Sequence, residues 1–109
     1  MIVSDKNVSD ALAYLAVDPH PIALARKDVT DADNNCKEIF ARAVLAADGS
    51  VAAKEAIATC SPAYVAAKAA EAEDILELER HKSRTRAAEM LIEVWRSENA
   101  NARVAERVR

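Results

Sequence analysis

Apolar and polar positions alternate along this chain with a helical period from near its start to its end. In "VSDALAYLAVD" the positions Val8, Ala11, Leu12 and Leu15 fall on one side of a helix. Ser4 and Ser9 both suit its N-cap, because a serine hydroxyl accepts from the unpaired amides of a first turn. "DPHP" ends it, since Pro19 and Pro21 disfavour helix in the residues before them. From Ile22 to Ala47 a second helix is expected. Ile22, Ala25, Val29, Ala32, Cys36, Ile39, Ala43 and Ala46 recur at alternating steps of three and four, the spacing of a coiled-coil seam. Phe40 and Val44 widen it near its end. "DADNN" at 31–35 is a poor helix former, and fraying or bending is expected there.

"DGS" at 48–50 stops that helix, and Ser50 caps a short one in "VAAKEAIATC". "SP" then gives an N-cap, Ser61, with proline at the first helical position, Pro62. No further breaker follows. The pattern predicts one helix from Pro62 to about Arg107, roughly 70 Å long at 1.5 Å per residue, or else a fold-back hinge at 79–86. Its main stripe is Val65, Ala69, Ala72, Leu76, Ser83, Ala87, Met90, Leu91, Val94, Ala105 and Val108, flanked by Trp95 and Ala102. A weaker stripe holds Tyr64, Ile75, Leu78 and Ile92. Two apolar faces on one helix call for two neighbours. The expectation is an all-α fold: one domain, with shorter helices in 1–60 forming an N-terminal hairpin and a long amphipathic helix in 61–109. The assembly expected is a coiled-coil-like homo-oligomeric bundle, with Leu76, Met90, Leu91, Val94 and Trp95 at the oligomer interface.

Composition strengthens the case for assembly. Alanine makes up 25 of the 109 residues, and the aromatics are only Tyr14, Phe40, Tyr64 and Trp95. Alanine favours helix but buries little area, so the core is thin and sister chains are expected to cover the long helix. Cys36 and Cys60 have no CxxC spacing. Two isolated thiols, and an N-terminus without a basic start and apolar run, point to a reducing cytoplasm. No segment approaches the roughly 18–20 apolar residues of a membrane span, so a membrane partner is not expected.

Charge divides the chain. Residues 1–79 hold 7 Lys/Arg against 14 Asp/Glu, a net of −7, and residues 80–109 hold 8 against 4, a net of +4. The change of sign falls in "ERHKSRTR", which carries Arg80, Lys82, Arg84 and Arg86. Arg80–Ser83–Arg84 and Glu98–Asn101 interrupt the main stripe. One reading is a structural polar layer with Arg–Glu pairing, which fixes register. Another is a row of arginines that holds phosphates, suited to it by the paired donors of the guanidinium. Trp95 reads as a packing anchor before a base-stacking platform.

Catalytic chemistry is not visible. His81 is expected to face solvent beside its cations, and His20 lies between two prolines. Neither has a partner spaced for metal binding or nucleophilic catalysis. Glu71, Glu73, Asp74, Glu77 and Glu79 read as a solvated acidic face, paired in part with the cations that follow. A single glycine excludes a glycine-rich phosphate loop. No enzyme activity and no cofactor are expected.

The tail "AAEMLIEVWRSENANARVAERV", with Val94-Trp95-Arg96-Ser97, Glu98, Asn99-Ala100-Asn101 and Ala102-Arg103, resembles the ends of small helical proteins from phage recombination gene clusters. "SPAYVAAKAAEAEDILELERHKSRTR" before it fits the same layout, so the likeness covers about residues 61–105. The layout is similar to UvsY-type recombination mediators. That resemblance implies a ring-like homo-oligomer in a phage-infected bacterial host, binding single-stranded DNA and helping to load a RecA-like recombinase. Carried onto this sequence, Arg80, Lys82, Arg84 and Arg86 contact the DNA backbone, with Arg96 and Arg103 second. The overall acidity departs from the basic balance of a DNA binder. Two other functions fit the residues. One is a phage-encoded inhibitor of a host defence or repair complex, an anti-CRISPR or nuclease blocker, in which acidic residues 71–79 mimic phosphates. The other is a structural coiled-coil assembly factor.

Overall fold

The computed structural model describes residues 3–108, and every regular element in them is an α-helix: α1 (Asp5–Leu15), α2 (Pro21–Ala46), α3 (Val51–Thr59) and α4 (Pro62–Val108). The chain is all-α with a long C-terminal helix, as its periodicity predicts.

Helix starts follow the serines. The Ser4 hydroxyl accepts from the Asn7 amide at 3.1 Å, and Ser50 accepts from Ala53 at 3.2 Å. Ser61 bridges two helices: its hydroxyl donates to the Ala58 carbonyl at 2.8 Å and accepts from the Tyr64 amide at 3.4 Å. "DADNN" does not interrupt α2, which runs through it as continuous helix. Two ion pairs one turn apart, Lys27–Asp31 and Lys37–Asp33, offset its weak propensity. No hinge opens at 79–86. Gly49 turns the chain from α2 to α3 at φ +115°, and a Cβ there would stand 3.3 Å from that of Ala53. Gly49→Ala should therefore lower stability by about 1–3 kcal/mol, measured as the shift of the urea midpoint.

The chain divides into two compact units: residues 1–21 with 80–109, and residues 22–79. In the second, α2 buries Ala25 and Cys36, α3 buries Ala58, and α4 buries Ala67 and Glu71. The α2 seam matches the periodic reading except at Ala46, which is exposed at the end of the helix. The rings of Phe40 and Tyr64 meet at 5.3 Å. In the first unit α1 packs on the C-terminal part of α4. Val8, Ala11 and Tyr14 are buried from α1, and Ile92 from α4. Leu12, expected on the covered side of α1, is 52% exposed. Its place is taken by Tyr14, whose larger ring reaches α4.

On α4 the side turned inward differs from the main apolar stripe. Tyr64, Ala67, Glu71, Asp74 and Leu78 are buried or half-buried in one unit, and His81, Thr85, Ala88, Ile92, Trp95 and Asn99 in the other. These positions also step by three and four, but five of the eleven, Glu71, Asp74, His81, Thr85 and Asn99, are polar. They include the weaker stripe of the sequence, apart from Ile75. Apart from Leu91, which is half-buried, the stronger stripe stays outside: Val65 is 57% exposed, Leu76 46%, Met90 62% and Val94 43%.

Candidate nucleic-acid interface

The candidate cations belong to the first unit and sit on a continuous helix, so their directions follow from their spacing. Arg80 and Arg84 are one turn apart on one flank of α4; Lys82 and Arg86 lie on the other. All four are exposed. They do not share one environment. The Arg84 guanidinium lies 4.1 Å over the centre of the Tyr14 ring, a cation–π contact that ties α4 to α1. Beneath it, the Tyr14 hydroxyl donates to the His81 carbonyl at 3.4 Å and meets the Thr85 hydroxyl at 3.3 Å. The His20 ring stands edge-on to Tyr14 at 5.0 Å. Tyr14 is thus the hub of this unit, and Arg84 is part of its packing.

His81, expected in solvent, is half-buried; the helical step that aligns it with Thr85 and Ala88 turns it inward. Arg96 is exposed and paired with Glu93 at 2.8 Å. Arg103 is exposed near the end of α4. Of the residues expected at an oligomer interface, Leu76, Met90 and Val94 lie outside. Leu91 and Trp95 are half-buried within the chain. Leu91 lines a shallow depression with Ala11 and Tyr14, and the Trp95 indole donates to the Asp5 carboxylate at 3.2 Å. Around the helix Leu91 stands about 60° and Trp95 about 100° from Val94, on the side towards α1. Tyr14 is what the sequence reading missed. Its signal was a lone aromatic in an otherwise aliphatic helix.

The second unit holds a separate polar cluster. A depression is lined by Asp33, Cys36, Lys37, Phe40, Tyr64 and Lys68. The hydrogen bond from Lys37 holds the Asp33 carboxyl below its usual value, and the one to Asp33 holds Lys37 above its own. Lys68 reaches Glu71 at 2.6 Å, and that hydrogen bond raises its pKa. A raised lysine stabilises the fold below its ordinary value and loses that contribution as pH climbs through the raised one. Replacing Lys68 with Met should therefore flatten the alkaline end of a stability–pH curve, measured as the urea midpoint against pH. Cys36 is buried beneath this cluster and Cys60 is exposed. Among the described residues no group of His, Cys, Asp or Glu is placed to hold a metal ion, and no helix is long and apolar enough to cross a membrane.

No protein-family model, no curated protein and no solved structure matches this chain.

Proposed function

We propose that this protein is a non-enzymatic, self-associating recombination mediator of the phage type, which binds single-stranded DNA and assists a RecA-like recombinase. One observation carries the DNA part of this reading. The two units differ in charge: the second, residues 22–79, has 6 Lys/Arg against 11 Asp/Glu, whereas the first, residues 1–21 with 80–109, has 9 against 7, with 8 of its cations against 4 acids on the α4 segment 80–109. A duplex reader needs an element shaped for a groove. A single strand needs only cations along its backbone and some stacking surface, and α4 supplies the cations on an exposed helix. Arg80, Lys82, Arg84, Arg86, Arg96 and Arg103 are the candidate contacts. The likeness of residues 61–105 to recombination-cluster proteins supports the choice of partner.

The test is fluorescence anisotropy with labelled oligonucleotides of different sequence at two salt concentrations. Binding indifferent to sequence and weakened steeply by salt is expected. No binding at low salt overturns the reading. A second reading, an inhibitor of a host nucleic-acid-binding complex, draws on the acidic unit, whose Glu73, Glu77 and Glu79 are all exposed. It predicts a stoichiometric complex with such a host protein and indifference to DNA.

A further inference from the structure

We draw no further inference here: the strongest candidate, the exposed face of α4 within the first unit, where Ala87, Met90, Val94 and Val104 recur at helical spacing on the side turned away from α1, carries none because nothing in the structure shows what covers it.

Discussion

Replacing Tyr14 with alanine should destabilise the first unit by about 3 kcal/mol or more, the cost of truncating a buried aromatic. The ring is the largest buried side chain of α1, at 9% exposure. It carries the Arg84 contact, the His20 contact and both hydroxyl hydrogen bonds. For a domain of this size the midpoint of melting should drop on the order of 10–20 °C. Trp95 is the sole tryptophan and donates to Asp5 of α1, so its fluorescence follows the release of α1 from α4. Tyr14→Phe separates the contributions. It keeps the ring and its cation–π contact and removes the hydroxyl, which should cost only about 1 kcal/mol. Equal losses in the two variants would mean that the hydroxyl, not the ring, holds α1 in place.

Neutralising Arg86, Arg96 and Arg103 together, each to glutamine, should weaken single-strand binding by about tenfold or more and leave the fold unchanged. Each phosphate contact to a single strand contributes about 0.7 to the slope of log affinity against log salt. Losing three should therefore lower that slope by about two. None of these three side chains is buried. Arg84 makes a poor probe by comparison, because its removal also strips the cover from Tyr14 and confuses folding with binding. An unchanged slope in the triple variant would mean that the strand, if bound, lies elsewhere.

The helix boundaries were legible because they rest on local chemistry. Ser4, Ser50 and Ser61–Pro62 are start signals whatever the rest of the chain does, and Gly49 accepts a φ that other residues resist. The run at 31–35 was harder to read, since propensity and ion pairing oppose one another there and the pairing wins. The inward face of α4 was the real difficulty. Hydrophobic strength ranks Val65, Leu76, Met90 and Val94 above Glu71, Asp74, His81 and Thr85, so the eye goes to the wrong side for the chain's own packing. What turns the polar side inward is the company it keeps: Glu71 has Lys68, and Thr85 and the His81 carbonyl have Tyr14. The Tyr14 contacts become visible only once α1 is docked, whereas Lys68 lies three residues from Glu71 on α4 itself. The six candidate cations were legible as a cluster, but their division between packing and solvent was not, because it depends on where Tyr14 falls.

No large side chain among the described residues is fully buried, and four of the nine buried hydrophobic residues are alanines. Unfolding therefore exposes little apolar surface for a chain of this length. The heat capacity increment should be small and the stability curve correspondingly flat. Denaturant sensitivity should be shallow as well, so that the transition spreads over a wide range of urea. A gradual melt is the expected thermodynamic signature of this alanine-lined interior, and it reflects thin packing within a folded molecule.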